Sequence, residues 1–229
     1  MDNTRIDFEK RKEEINEYFK FLEILNNDAV SLKYKNIDGI QEIMLTTKLQ
    51  KIFIANTFLL LYNVIESTVR NSIVEIYNKI QDDEVVYSSL SEKIKQIWLH
   101  KNGKKFLTNK NKSIEKNLRN IINEVVNSEI VILTKDDIHV SGNIDANEIR
   151  ILASKIGFEK SNDGRHLADI KIKRNRLAHG EQTFHDIGKD FTYNELNSYK
   201  QNTFEYLEDV INKIKSFIHN QKYKFQEEN

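Results

Sequence analysis

The chain contains no cysteine and no proline, and only seven of its 229 residues are glycine. Without cysteine, disulfides and thiolate metal centres are excluded. A reducing compartment fits, so the expected location is cytoplasmic. All-β sandwiches and barrels turn on many glycines and prolines, so their scarcity favours helices joined by few connections. The opening stretch MDNTRIDFEKRKEEI is charged from its start and holds no apolar centre, so no signal peptide is expected. The longest apolar run, Phe58 to Tyr62, is far too short to cross a bilayer, and no membrane partner is expected. An excess of one charge is missing too, because 35 Lys and Arg balance 35 Asp and Glu. Such a chain is not held on nucleic acid by bulk charge, although a local basic cleft remains compatible. The balance of 39% hydrophobic and 31% charged residues is that of a globular protein. The length suffices for one large domain with a real core.

What is present reads as helices. Phe8, Ile15, Phe19, Leu22 and Leu25 recur at helical spacing, predicting a first helix over about 5–26. A longer one is predicted over about 41–81, with Ile54, Phe58, Leu61, Ile65, Val69, Ile73, Ile76 and Ile80 on one face, as the spine of the core. Ser89 and Glu92 form a capping-box pattern for a helix ending at about 100. Ser113 is placed to cap another, with Leu118, Ile121, Ile122, Val125 and Val126 on its apolar face. Residues 129–143 break this period. Ile130 to Leu133 are β-prone, Lys135-Asp136-Asp137 suits a turn, and Ile138, His139 and Val140 follow, which predicts a short β-hairpin. Asp145 and Glu148 open a helix to about 156. Asp163 and Gly164 open one that ends near His179, with Gly180 suited to the position after it. A polar loop to Asp190 leads to a final helix capped by Thr192 and Glu195, whose inward face carries Leu207, Val210, Ile211, Ile214, Phe217 and Ile218. The expected fold is all-α, an up-and-down helical bundle of one domain over 1–229. Its core spans about 41–222, and an insertion over about 101–143 holds the hairpin.

Chemistry concentrates in Lys171-Ile172-Lys173-Arg174-Asn175-Arg176-Leu177-Ala178-His179-Gly180, an Arg-x4-His pattern with Asn directly after the Arg. On a helix, Asn175 and His179 share a face. Arg174 lies roughly 140° round from His179, by the helical period, yet its long side chain reaches the same cleft if the helix ends near His179. RNA carries its own nucleophile, the 2′-OH. Its cleavage needs a group that moves protons near neutrality, as His does. It also needs a fixed cation on the crowded phosphate, which Arg supplies bidentately. Asn175 suits orientation of the phosphate or the imidazole. No metal and no cofactor are required. The competing explanation is cationic capping of a helix C-terminus, with no catalysis.

Other candidates are weaker. Glu66 lies on the spine helix with Tyr62 and Arg70 at four-residue spacing. It either serves the motif or forms a solvated pair with Arg70 worth a few tenths of a kcal/mol, roughly. From Lys101 to Arg119 there are six Lys and one Arg against a single Glu115. That stretch either tracks an RNA backbone, with Trp98 as a stacking platform, or is a solvated loop. Lys171, Lys173 and Arg176 flank the motif and are better placed for RNA, and Arg70 is a further RNA-binding candidate. His100, His139, His166, His185 and His219 show no ligand spacing, and there is no Walker A loop or GxGxxG. His185 fits either the cleft mouth or an ordinary surface loop.

The motif resembles the signature of the HEPN superfamily, whose active members are ribonucleases. With FLLLYNVIESTVRNSIVEIY at 58–77, SGNIDANEIRILASKIGF at 141–158 and RNRLAHGEQTF at 174–184, roughly residues 45–220 look like the MAE-type HEPN nucleases of bacterial conflict systems. The resemblance implies a toxin or anti-phage endoribonuclease that leaves a 2′,3′-cyclic phosphate and a free 5′-OH. It also implies an acidic residue of the spine helix beside the motif, where Glu66 stands, and a homodimer whose two motifs share one cleft. In that dimer Phe184 and Tyr193 are candidate contacts, with packing onto their own bundle the alternative. An antitoxin or defence partner is a further expectation. Toxins silenced by tyrosine AMPylation carry Tyr two residues after the motif His. Glu181 stands there in this chain, which argues against that control.

Overall fold

The computed structural model describes residues 1–27, 30–107, 114–137 and 142–226. Among them the order is α1 (Asp2–Leu25), β1 (Ser31–Asn36), β2 (Gly39–Met44), α2 (Thr47–Asp82), a 3-10 turn (Tyr87–Ser89), α3 (Glu92–Leu107), α4 (Ile114–Val126), α5 (Ala146–Ile156), α6 (Leu167–Ala178), α7 (Phe184–Gly188) and α8 (Tyr193–His219). The protein is an all-α bundle with one small antiparallel hairpin.

The spine is α2. Thr46 caps it, its hydroxyl accepting from Leu49 N at 3.2 Å. Phe58, Leu61, Ile65, Val69, Ile73, Ile76 and Ile80 are buried along it, and α1, α6, α7 and α8 pack on it. By length and composition α2 could cross a membrane, but here its apolar side is the bundle core. The short α7 lies in the stretch for which the sequence predicts a polar loop. Thr183 caps it by accepting from Asp186 N at 3.1 Å. It lies so close to α2 that a Cβ on Gly188 would stand 1.8 Å from the Lys51 carbonyl oxygen, so only glycine fits there. The capping box of Thr192 and Glu195 opens α8, which buries Leu207, Val210, Ile211, Ile214 and Phe217.

Several boundaries differ from the expectation, each for a local reason. Among the described residues the hairpin lies at 31–44, so α2 begins at Thr47 rather than about 41. Its turn is Ile37-Asp38, with Asn36 Oδ1 accepting from Asp38 N at 2.9 Å and Gly39, paired with Asn36, at a φ of +113°. In the segment expected to form the hairpin, Val131 N bonds the Val85 carbonyl at 2.9 Å, and Ile130 makes a lone bridge to Val86. Val131 and Leu133 are buried, and this stretch pairs with the chain after α2. Residues 138–141 lie outside the described residues, as does Ser113. Ser89 sits in the 3-10 turn, and α3 starts at Glu92 and runs on to Leu107. Asp163 and Gly164 adopt φ of +67° and +75°, which no helix accepts, and α6 begins only at Leu167. The face of α4 is not buried: Leu118 is 51% and Ile122 50% exposed.

Candidate active site

The C-terminus of α6 sets the position of His179. Glu181 N bonds the Arg176 carbonyl at 2.9 Å and Gly180 N bonds Leu177 at 3.3 Å, with Gly180 at a φ of +70°. This is a Schellman closure, which glycine makes without steric cost. His179 is the last residue before it. Its backbone N–H reaches Asn175 O at 2.9 Å, and its side chain is exposed, with no hydrogen bond or ion pair among the described residues.

One turn earlier, the motif turns inward against α2. Tyr62, Glu66 and Arg70 follow one another up the same side of that helix. The Arg174 guanidinium carbon stands 3.5 Å above the centre of the Tyr62 ring. Its Nη2 donates to Glu66 Oε2 at 3.3 Å and to the Gly142 carbonyl at 3.1 Å, and its Nη1 donates to Asn175 Oδ1 at 2.8 Å. The other Glu66 oxygen accepts from Arg70 Nε at 2.9 Å. Asn175 Nδ2 in turn donates to Asn143 Oδ1 at 2.7 Å. The arginine is only 20% exposed, and its charge is met by a carboxylate, a carbonyl and an aromatic face. A stacked guanidinium alone contributes about 0.5–2 kcal/mol.

The Tyr62 hydroxyl donates to Gly142 O at 2.6 Å and accepts from Ile144 N at 3.0 Å. Burial raises the phenol above its usual range, outweighing the hydrogen bond from Ile144 and the Arg174 charge, so it stays protonated and can donate. Residues 142–144 thereby lie across the motif just before α5. Asp145, next in the chain, caps α5 by accepting from Glu148 N at 2.9 Å and pairs with Lys171. Burial would raise the Asp145 carboxyl, but the hydrogen bonds from Lys171 and Glu148 N hold it below its ordinary value.

The structure therefore brings Glu66, Arg70, Arg174 and Asn175 together and leaves His179 one turn away at the helix end. Glu66 touches Arg174 as well as Arg70, so it is more than a solvated pair. Lys171 is engaged with Asp145, Arg176 Nη1 with Gln182 at 3.2 Å, and Lys173 lies 5.3 Å over the Phe191 ring. Trp98 is 4% exposed and packs on Tyr87, with ring centres 4.7 Å apart. It is a core residue and offers no stacking platform, because its buried ring leaves no open face for a base. Of the basic run, Lys101 is tied to Ile132 O and Asp137 and Arg119 to Glu115, while 108–113 lie outside the described residues. Phe184 and Tyr193 are half-buried against their own core, and His185 lies on α7. Sequence reasoning missed Gly142, Asn143 and Ile144, and it saw Tyr62 only as a neighbour of Glu66. The spacing of Tyr62 and Glu66 was a signal, but nothing local shows that residues 142–144 fold over the motif.

A helical bundle whose Arg-Asn-x3-His segment closes one helix against a central spine is a HEPN-type fold. Over residues 2–223 the chain matches the family described as HEPN_MAE_28990-like HEPN, and it belongs to that family of MAE-type HEPN proteins. Neither a curated protein nor a solved structure shows a significant match.

Proposed function

We propose that the protein is a metal-independent endoribonuclease acting inside the cell as a toxin or anti-phage effector. The observation that carries this reading is the division of labour within one helical turn. Arg174 is anchored and oriented, while His179 is exposed and unpaired. A guanidinium has five N–H donors, and the three bonds to Asn175, Glu66 and Gly142 leave about two for a phosphate. With one face covered by Tyr62, these remaining donors are directed rather than mobile.

In the reaction the 2′-oxygen forms a bond to phosphorus and the bond from phosphorus to the 5′-oxygen breaks. The products are a 2′,3′-cyclic phosphate and a 5′-OH end. His179 accepts the 2′-OH proton or supplies one to the leaving oxygen. Arg174 stabilises the charge on the phosphorane, and Asn175 holds Arg174 in place. Lys173 and Arg176 are the flanking cations for the RNA backbone. One His performs one proton transfer at a time, so a homodimer with the second His179 in a shared cleft completes the set.

A second reading, a non-catalytic HEPN module for binding a partner or nucleic acid, draws on Glu66, which already neutralises part of the Arg174 charge. An RNase assay separates the two. The wild type should cleave RNA, and a folded His179→Ala protein should be slower by at least about a hundredfold. Equal rates overturn the catalytic assignment.

A further inference from the structure

Resting on the ribonuclease reading, we infer that Tyr62 is a positioning residue for Arg174, acting through its ring and its hydroxyl on two sides of the same guanidinium. The ring lies under the guanidinium at 3.5 Å and defines its plane. The hydroxyl holds the Gly142 carbonyl at 2.6 Å, and that carbonyl accepts from Arg174 Nη2 at 3.1 Å. The Ile144 N–H, bonded to the same hydroxyl at 3.0 Å, prevents the 142–144 segment from swinging away. Asn143, between them, accepts from Asn175, whose own carbonyl takes Arg174 Nη1. Plane and in-plane rotation of the guanidinium are thus both tied to one phenol on α2.

Glu66 alone cannot do this. A carboxylate at 3.3 Å supplies charge and one contact, but it leaves rotation about that contact open. Arg174 must present its two remaining N–H groups, on Nε and Nη1, to a phosphate at a near-linear angle for either to hydrogen-bond it. Displacing a catalytic group by about 1 Å costs on the order of a hundredfold in rate. The sequence separation of 80 and 82 residues between Tyr62 and its two backbone partners makes this a tertiary device. The segment before α5 is brought to the motif by the phenol.

The test compares Tyr62→Phe, which keeps the ring and loses the hydroxyl, with Tyr62→Leu, which loses both. Kinetics are measured on an RNA oligonucleotide. In parallel, the Arg174 Nε–H resonance is followed by NMR without substrate, assigned by its loss in Arg174→Lys. The expectation for Phe is a kcat lower by about tenfold and for Leu by about a hundredfold, with KM nearly unchanged. The ring-current shift of Arg174 should persist in Phe and vanish in Leu. Tyr62→Phe is close to isosteric, so it keeps the test valid if Leu fails to fold. Wild-type kcat in folded Tyr62→Phe overturns the positioning role of the hydroxyl, and an unmoved Arg174 resonance in folded Leu overturns that of the ring. If the wild type cleaves no RNA, the ribonuclease reading falls by itself. The Arg174 resonance then still decides on the ring contact.

Discussion

Glu66 on α2 and Arg174 on α6 meet with Oε2 and Nη2 3.3 Å apart, and the second oxygen of the same carboxylate holds Arg70 at 2.9 Å. One acidic side chain thus spans two arginines 104 residues apart in the chain (174 − 70), and it ties the spine helix to the motif helix.

The first prediction follows from that link. Glu66→Ala removes one anchor of Arg174 and should lower kcat on RNA by about tenfold, with Glu66→Gln retaining more of the rate through its amide oxygen. Steady-state kinetics on both variants check this. A rise in rate would instead mean that Glu66 restrains Arg174 from the phosphate.

Cleavage should survive EDTA. Among the described residues no group of three His, Asp or Glu side chains converges to hold a metal ion, and the 2′-OH mechanism needs none. DNA, or RNA with 2′-O-methyl at the cut site, should resist because the nucleophile is missing. Activity lost in EDTA and restored by a divalent cation, or efficient cut of either analogue, would point to a metal-activated or free water nucleophile.

A homodimer with both motifs on one cleft is expected in solution. The exposed His179 at the end of α6 is available to such a partner, whereas Phe184 and Tyr193 already pack on their own bundle. The molar mass by light scattering and a spin-label distance between the two α6 ends measure this. A monomer fully active at nanomolar concentration, or a dimer with its His179 side chains on opposite surfaces, refutes the shared site.

Acid should loosen the C-terminal attachment first. Lys79 and Tyr223 hydrogen-bond to Asp83, and Lys224 stands 3.2 Å from it, which holds its carboxyl down at about 2 against an ordinary value of 3.8. A carboxyl depressed in the folded state stabilises fully above its unfolded value and loses that contribution as pH falls through the folded one. Thermal melts should therefore drop in Tm between about pH 4 and pH 2. Asp83→Asn should be less stable at neutral pH and should show a shallower acid decline. A parallel decline in wild type and variant would remove Asp83 from this role.

Much of the fold was legible because helices write themselves in local spacing. The buried faces of α2 and α8 follow the three-and-four period, Thr192 and Asp145 cap where their hydroxyl and carboxylate stand three residues before a Glu, and Gly180 closes α6. Strands do not announce their partners. Ile130 to Leu133 read as β-prone from local composition, but their partner, the chain at Val85 and Val86 after α2, lies far off in sequence and no local pattern names it. The apolar period of α4 likewise predicted its helix and not its exposure, since burial depends on what packs opposite.

The candidate site divides along the same line. Arg174, Asn175 and His179 stand as candidates from the sequence, because the proposed RNA cleavage would call for those residue types within one stretch of helix. That Trp98 is core, that Glu66 reaches Arg174, and that Tyr62 holds residues 142–144 over the motif were decided by tertiary structure. Those contacts join side chains far apart in the chain, and helical periodicity says nothing beyond its own helix. Which face of α2 meets which end of α6 is set by the packing of the whole bundle around the spine.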